Sequence, residues 1–451
     1  MTRARGGSRS AWHFVFLFSL GLAALFAPLP ALAQQTPPAD DSGAVDADNA
    51  SDGYTPAEGS ASPPAFHVNG YVDIGFAHAG GDGTSFPAGD TRLPADYGVD
   101  TFAPAVNSRG DVASTDAGGR FVNGFLPRSV GIGGRASPLV NVVDFDLRYN
   151  VPSAPLMFFS RLQLLPRFTG TGDETRPLLQ QAFARLVPFD SQELALSVGK
   201  FDSVVGIEYL DNESNIRIGI TPSLVARYTT GQSLGAKVFY RVQIPAAWSA
   251  VSLNLAATTS GSFVESLQMP DVSLTGMPVG SGRLGYELNL PRFQLKLGGS
   301  GVYGPRNDQH DRHVLQQVLG GDLRIAVAGL YLNAEYVRVD EDEGHEQKIT
   351  SLGVFPLVSA FHERGYYAQL AYGLAIDAGP LHKITVYGRY ERRNAWFQGF
   401  TPLLVDRITG GLRVDLWESV IVKGEVLINR ELQGSPNVPN NVQTLSVVYS
   451  F

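Results

Sequence analysis

The stretch that decides the fold is VQTLSVVYSF, residues 442–451, at the end of the chain. Leu445, Val447, Tyr449 and Phe451 alternate with Ser446, Val448 and Ser450. Successive side chains of a β-strand point to opposite faces of its sheet. The stretch therefore predicts a strand with one apolar face.

The same alternation recurs along most of the chain, in segments of about ten residues. In 232–243, Leu234, Val238 and Tyr240 share one face, and Lys237 and Arg241 lie on the other. Segments 139–150, 281–290, 381–393 and 418–430 repeat the pattern. We predict sixteen strands, near 66–76, 139–150, 156–167, 179–188, 192–201, 232–243, 249–258, 282–290, 292–303, 320–328, 330–339, 364–376, 381–393, 404–416, 418–430 and 441–451.

The connections between these strands discriminate between two folds, because a soluble sandwich gives the same alternation. They run long and short in turn, with long connections such as 77–138 and 202–231 and short ones such as 151–155 and 328–329. This asymmetry, with an even strand number, is typical of membrane barrels. The predicted fold class is therefore all-β: a transmembrane, antiparallel, up-and-down barrel of sixteen strands, with short periplasmic turns and long extracellular loops. Ser129–Gly134 is a further strand candidate, and eighteen strands are the alternative count.

The N-terminal region is predicted to lie outside the barrel. Residues 1–33 read as a cleaved signal peptide, with a basic start, an apolar run and an Ala31-Leu32-Ala33 cleavage site. An uncleaved anchor is the competing interpretation. Residues 34–65 are rich in Pro, Ala and acidic residues, which is typical of a disordered periplasmic linker. The predicted barrel is 66–451.

Composition excludes several classes of function. The 451 residues include no cysteine, which excludes thiol nucleophiles, disulfides and Cys-ligated metals. The formal charge of −8 argues against nucleic-acid binding. Charged residues are only 17%, and glycines number 50, which suits a β surface that meets apolar surroundings.

Longer segments carry a family resemblance. Residues 199–241 read GKFDSVVGIEYLDNESNIRIGITPSLVARYTTGQSLGAKVFYR, and 384–394 read ITVYGRYERRN. Together with 320–339 and 364–374 they resemble the β-barrel porins of Gram-negative outer membranes, with the phosphate-selective porins as more distant relatives. The alternating end with Tyr449 and terminal Phe451 resembles the signal that such proteins present to the barrel-assembly machinery. The resemblance implies a water-filled passive channel for small hydrophilic solutes in the outer membrane, among lipid and lipopolysaccharide, and trimers are common in such families.

The polar face of each strand supplies the predicted pore-lining residues, because barrels of this size enclose an aqueous lumen. Basic residues outnumber acidic ones among them, which favours a weak anion preference. The alternative is that the two signs pair across neighbouring strands and only rigidify the wall. The predicted pore-lining residues are Asp144, Asp146, Arg148, Arg161, Arg167, Lys237, Arg241, Arg283, Lys296, Lys383, Arg389, Arg413, Lys423 and Glu425.

The long connection 202–231 is the predicted constriction loop, and its rival is 77–138, folded inward as a plug. Opposed acidic and basic side chains in 202–231 would filter dipolar solutes. The predicted constriction residues are Asp202, Glu208, Asp211, Glu213, Arg217 and Arg227.

Catalytic, cofactor and metal sites are predicted to be absent. Residues 231–235 read GQSLG and match the Gly-x-Ser-x-Gly pattern, but no nearby Ser/His pairing accompanies them, which argues against a barrel hydrolase. The acidic run Asp340–Glu343 with Glu346, and the pair His310 and His313, are weak metal candidates. A plugged barrel that carries a specific or hydrophobic substrate, and a non-channel scaffold or adhesin, remain as alternative functions.

Overall fold

The computed structural model describes residues 65–79, 137–164, 177–189, 193–202, 204–211, 213–229, 232–244, 247–259, 278–305, 315–343, 347–350, 353–356, 360–397, 403–432 and 441–451. The predicted signal peptide, almost all of the predicted linker, Ser129–Gly134 and most of 77–138 lie outside these residues. Nearly all of the described chain is β-strand.

The strands have the following bounds: β1 Phe66–Ala79, β2 Ser137–Asn150, β3 Leu156–Leu164, β4 Pro177–Leu186, β5 Leu194–Asp202, β6 Gln232–Ile244, β7 Ser249–Thr258, β8 Val279–Leu290 and β9 Phe293–Pro305. They continue with β10 Leu315–Val327, β11 Leu330–Glu341, β12 Gln347–Thr350, β13 Gly353–Pro356, β14 Phe361–Ala378, β15 Leu381–Phe397, β16 Leu403–Leu416, β17 Val420–Leu432 and β18 Val442–Ser450. Two 3₁₀ helices, Glu208–Asp211 and Ala226–Tyr228, lie between β5 and β6.

Sixteen of these strands form one closed antiparallel barrel, and each pairs with its neighbours along the chain. β11 pairs directly with β14, while β12 and β13 form a separate two-stranded sheet. The predicted barrel of sixteen strands is therefore confirmed. The β12–β13 hairpin was not predicted, because its strands are only four residues long and carry too little alternation to be recognised.

One end of the barrel, here called the turn end, carries the short connections. The β10–β11 turn consists of Ala328 and Gly329, both with positive φ (48° and 82°), which is the geometry of the two-residue turns that match strand twist. The opposite end, here called the loop end, carries the longer connections. One of these, 398–402, is shorter than predicted because β15 and β16 extend further.

The two faces of the barrel wall have opposite chemistry. Outward side chains are apolar and exposed, for example Leu370 at 52%, Val426 at 48% and Leu284 at 58%. Inward side chains such as Glu391, Arg407 and Gln163 are polar and buried. An apolar surface that encircles a closed sheet is unsuited to water, and it is the surface that a barrel presents to lipid. The chain is thus a transmembrane barrel and not a soluble sandwich.

Among the described residues, no helix is both long enough and apolar enough to cross a membrane.

The barrel closes where the C-terminal residue meets the first strand. β18 pairs with β1 from Tyr71↔Ser450 to Ala79↔Val442. Beyond this ladder, the Phe451 amide donates to the Gly70 carbonyl and the Gly70 amide donates to the Phe451 carbonyl, both at 3.0 Å. The Phe451 ring packs 5.8 Å from that of Phe145 on β2. A β-carbon on Gly70 would lie 2.3 Å from the Asp144 carbonyl oxygen and 2.7 Å from the Phe451 ring.

We expect Gly70→Ala to destabilise the barrel by about 1–3 kcal/mol, because the added methyl overpacks the closure. Gly410→Ala is the matched control, since a β-carbon there meets nothing within 4 Å. Urea unfolding of the refolded proteins in detergent measures both. Equal midpoints for the two variants would contradict the prediction.

Candidate functional site: the loop inside the barrel

The segment between β5 and β6, here called the inner loop (203–231), lies within the barrel. Its described residues bond to β1 and β3 and to strands from β9 to β17, always through side chains of the inward face. A segment that reaches opposite parts of a closed wall from its polar side must lie in the lumen. Most of its described residues are accordingly buried, including Val205, Glu208 and Thr221.

Lys423 on β17 fixes one end of the inner loop. Its Nζ donates to the carbonyl oxygens of Ser214 at 2.5 Å, Arg217 at 2.5 Å and Gly219 at 3.0 Å. Nearby, Arg413 on β16 donates to the carbonyls of Ile216 and Arg217. Backbone carbonyls that cannot join a strand ladder still need donors, and these wall cations supply them.

A buried ion cluster holds the middle of the inner loop. Glu391 on β15 accepts from Arg389 at 2.6 Å and from Arg407 at 2.9 Å. Its Oε2 also accepts from the Leu224 amide at 2.6 Å. Arg389 and Arg407 in turn donate to the carbonyl of Pro222. The three side chains are at most 5% exposed, so each charge depends on the others.

Two further wall carboxylates hold the inner loop through backbone amides. Glu425 accepts from the Thr221 amide at 2.8 Å, and Glu335 accepts from the Ile207 amide at 3.3 Å. Gly206 has φ +70°, and a β-carbon there would lie 1.5 Å from the Glu335 carboxylate. Only glycine therefore allows this close approach of the loop backbone to β11.

In a further set of contacts, acidic side chains of the inner loop bond to side chains of the wall. Glu213 accepts from the Tyr71 hydroxyl at 2.5 Å and from Arg161 at 2.6 Å. Asp211 accepts from Arg324 at 2.6 Å. Glu208 instead bonds within the loop, to the amide and hydroxyl of Ser223. Burial raises the pKa of Glu208, against the opposing effects of Arg389 and Ser223.

Apolar contacts complete the packing of the inner loop. Val205, Val225 and Tyr228 form a buried cluster with wall valines of β8–β11 and with Tyr367. Val204 and Phe201 form a second cluster with Phe159, Phe183 and neighbouring residues of β3, β4 and β7. The loop thus adheres to the wall through both polar and apolar groups.

A crevice remains between the inner loop and β7–β10. Ile207 and Leu210 line it on the loop side. On the wall side, Lys296 and Arg241 both contact Glu287, at 3.4 Å and 2.7 Å. The residues lining the crevice include three basic side chains and one acidic one: Arg283, Lys296, Arg324 and Glu287.

The predicted pore-lining residues that the structure describes all lie on the inward face. Most form pairs: Arg161 with Asp144 and Asp146, Arg283 with Asp322, Arg389 with Glu391, and Arg413 with Asp415. Lys237 lies over the Phe201 ring, and Lys383 over the Tyr331 ring. The buried members are Asp144, Arg161, Lys237, Arg283, Arg389, Lys423 and Glu425, and the half-buried ones are Asp146, Arg148, Arg241, Lys296, Lys383 and Arg413. Arg167 lies outside the described residues.

The predicted constriction residues gather in the inner loop and at its start. Asp202 is the last residue of β5 and accepts from Gln232 at 3.0 Å. Arg217 donates to the Asp211 and Ile220 carbonyls, which shapes the loop itself. The Arg227 side chain lies outside what the structure describes.

Several wall residues that hold the loop, or that pair with charged residues beside it, are not among the predicted pore-lining residues. They share the inward face with residues that were predicted, so alternation alone could have found them. Arg389, Glu391 and Arg393, for example, follow each other at spacings of two. The missed residues are Asp322, Arg324, Glu335, Glu363, Glu391, Arg393 and Arg407.

No group of three or more metal-ligating side chains occurs among the described residues. Asp340, the first residue of the acidic run, instead bonds to Arg338 at 2.6 Å and to His362 at 2.8 Å. His310, His313 and Glu346 lie outside the described residues.

Comparison with known proteins finds similar solved structures but no similar sequence. No protein-family model matches the chain, and no curated protein matches it. The outer membrane channel DcaP of Acinetobacter baumannii matches at 9% identity and a TM-score of 0.48, covering 86% of this chain and 97% of that one. OprB of Pseudomonas putida matches at 10% identity and 0.47, covering 86% and 94%. The anion-selective porin from Comamonas acidovorans matches at 9% identity and 0.46, covering 86% and 99%.

We expect Lys423→Met to loosen the inner loop, because methionine keeps the length of the side chain but removes the ammonium donor that Ser214, Arg217 and Gly219 share, and among the described residues only Arg217 keeps a second donor, from Arg413. Hydrogen–deuterium exchange of the peptide 213–220 should rise. Lys383→Met is the matched control, since Lys383 faces inward at Tyr331. Equal exchange of 213–220 in both variants would show that Lys423 does not hold the loop.

Glu208 gives the loop a pH dependence of defined sign. Because its folded pKa is raised, the folded chain retains a proton that the unfolded chain releases from about pH 4.3 upward. The contribution of Glu208 to the free energy of unfolding therefore falls as the pH rises from about 4.3 through the raised pKa of the folded state. We expect the difference in thermal midpoint, wild type minus Glu208→Gln, to decrease between pH 4 and pH 8. A constant difference would contradict the assignment.

Proposed function

We propose that this chain is an outer-membrane porin of the β-barrel porin family, a non-catalytic channel for passive diffusion of small hydrophilic solutes. The inner loop carries the proposal, because it folds into a closed barrel with a polar inner face and an apolar outer face. In this proposal the inner loop sets the width of the pore. The turn end faces the periplasm and the loop end faces outward.

The proposed solute path follows the crevice between the inner loop and β7–β10, whose cavity volume of about 10 Å³ must widen before a solute can pass. Glu287 and Lys296 line it from the wall, Arg241 binds Glu287 from β6, and Ile207 and Leu210 line it from the loop. Beside the crevice, on β8–β11, and around the rest of the barrel, hydrogen bonds and apolar clusters join the loop to the wall. Side chains at this constriction would therefore contact every passing solute.

A weak anion preference is the selectivity that the described charges favour. Most inward arginines are paired with carboxylates, which reduces their field. Lys423 and Arg413 also bind backbone carbonyls, and because a carbonyl carries no net charge, these contacts do not neutralise the two cations. At the crevice Arg283 binds Asp322 and Arg324 binds Asp211, while Arg241 and Lys296 share Glu287, so four basic groups meet three carboxylates and one positive charge is left over. Rings of like charge at a constriction determine the sign of selectivity.

A plugged barrel that carries a specific substrate is the second candidate. The density of bonds between the inner loop and the wall favours it, since such a loop would be slow to move aside. In that case the barrel would insert but pass no steady current.

Single-channel recording of the refolded chain in a planar bilayer, under a KCl gradient, tests the proposal. We expect stable ohmic current steps and a reversal potential displaced toward that of chloride. A folded and inserted barrel without current would reject the open channel and leave the plugged barrel.

The same recording locates the path. Arg241→Gln and Glu287→Gln change the charge of one contact pair in opposite directions. If solute passes this crevice, we expect Arg241→Gln to shift the reversal potential toward cations and Glu287→Gln to shift it toward anions. Shifts of the same sign, or none, would place the path elsewhere in the lumen.

A further inference from the structure

On the outer face of the barrel, apolar side chains give way to charged ones near the loop end of β11 and β14–β17. Along β14, the outward residues Leu374, Leu370 and Tyr366 are followed by Arg364 and His362. On β11, β15 and β17, too, the outward side chains change from apolar residues to an arginine toward the loop end. The arginine patch, as defined here, consists of Arg338 on β11, Arg364 on β14, Arg392 on β15 and Arg430 on β17.

Strand register brings the members of the arginine patch together. Arg338 is directly opposite Arg364, and Tyr366 is opposite Arg392. Asp406 on β16 lies opposite both Arg392 and Arg430. Adjacent strands are about 4.8 Å apart, so the patch is a continuous surface. Like charges directly opposite each other destabilise a sheet, which favours a bound anion between Arg338 and Arg364.

The two carboxylates of this surface are already engaged. Asp406 binds Arg392 through two bonds of 2.7 Å and accepts from Tyr390. Asp340 binds Arg338 and His362. Within the strands, four arginines against these two aspartates leave a charge of 4 − 2 = +2, with His362 counted as neutral; the exposed Asp342 and Glu343 lie past the end of β11, further toward the loop end. Within the described chain, the surplus charge lies at Arg364 and Arg430.

The strands β7–β10 carry no comparable patch among their described outward residues. On β7–β10, the outward residues toward the loop end carry no charge; they are Leu255, Ala257, Gly280, Gly282, Gly301, Tyr303, Gln317 and Leu319. A general need for a polar rim would have placed charges there as well. The cluster on β11 and β14–β17 is therefore a local feature.

The surroundings of the patch indicate the kind of ligand. Exposed Tyr336, Tyr366 and Tyr390 lie immediately on its turn-end side, as aromatic residues do at a membrane interface. Further toward the turn end are exposed aliphatic residues, including Leu370 and Ile408. A ligand that matches both regions has phosphates at the level of the guanidinium groups and acyl chains along the aliphatic surface. Guanidinium groups bind phosphate through paired, charge-assisted hydrogen bonds.

We propose that the arginine patch binds the phosphates of a lipopolysaccharide molecule in the outer leaflet, with Arg364 and Arg430 as principal contacts. The acyl chains of this glycolipid lie against the aliphatic surface of β14–β17. The inference rests on the outer-membrane location and orientation proposed above, but not on conductance. A barrel that binds the glycolipid without passing current would retain this site and lose the channel.

Native mass spectrometry of the refolded chain in detergent tests the site. The probes are diphosphorylated lipid A and the same lipid after removal of both phosphates. We expect the wild type to bind the phosphorylated lipid about tenfold more tightly, a difference typical of charge-assisted contacts. Equal binding of the two lipids by the wild type would overturn the proposal without any variant.

Two double variants locate the binding surface. Arg364→Gln with Arg430→Gln should abolish the preference for phosphate. Lys200→Gln with Arg292→Gln removes the same charge from β5 and from the β8–β9 turn, and should retain the preference. Equal behaviour of the two variants would overturn the proposal, as would displacement of the lipid by excess inorganic phosphate, which would indicate a free-anion site. Loss of dimers or trimers with lipid binding unchanged would assign the patch to a subunit contact.

Discussion

Closure of the sheet is the constraint on which the rest of this structure depends. A bilayer offers no hydrogen bonds, so every backbone group of a membrane-spanning sheet must find its partner within the sheet. The register of β1 with β18, extended by the reciprocal bonds of Gly70 and Phe451, removes the last free edge. Once the sheet is closed, alternation sends one set of side chains to lipid and the other to an enclosed lumen. The polar inner face follows from this division.

The backbone groups of the inner loop also need hydrogen-bond partners, and they find them in side chains instead of in a neighbouring strand. Its backbone runs through the lumen without a strand partner, and side chains of the wall replace the missing ladder. Lys423 supplies donors to three carbonyls, while Glu391 and Glu425 accept from the amides of Leu224 and Thr221. Each of these wall charges is balanced by a neighbour or by backbone dipoles. The charges that would select ions therefore also hold the loop, and both roles compete for the same side chains.

The sequence predicts the wall better than it predicts the lumen, for a physical reason. Alternation has a period of two, so it reports the face of each residue directly, and it placed Lys423 and Arg389 on the inward side. It carries no information on partners far away in the chain. The bonds of Lys423 to Ser214, Arg217 and Gly219 join residues more than 200 positions apart. Partners at this distance depend on how the loop folds, which periodicity does not encode.

The inner and outer faces of the barrel differ in how their charged side chains are paired. Inside, many acidic and basic groups are paired, either along one strand, as in Arg389 with Glu391 and Arg413 with Asp415, or between strands, as in Arg283 with Asp322. Outside, near the loop end, Arg338 is paired with Asp340 but also stands opposite Arg364, for which no carboxylate partner occurs among the described residues. A sheet that neutralises its buried charges so consistently has no structural need for two opposed arginines on its outer face. The unbalanced positive charge is better explained by an anion that belongs to the membrane, because at that level the surrounding lipid supplies the negative charge that the protein lacks.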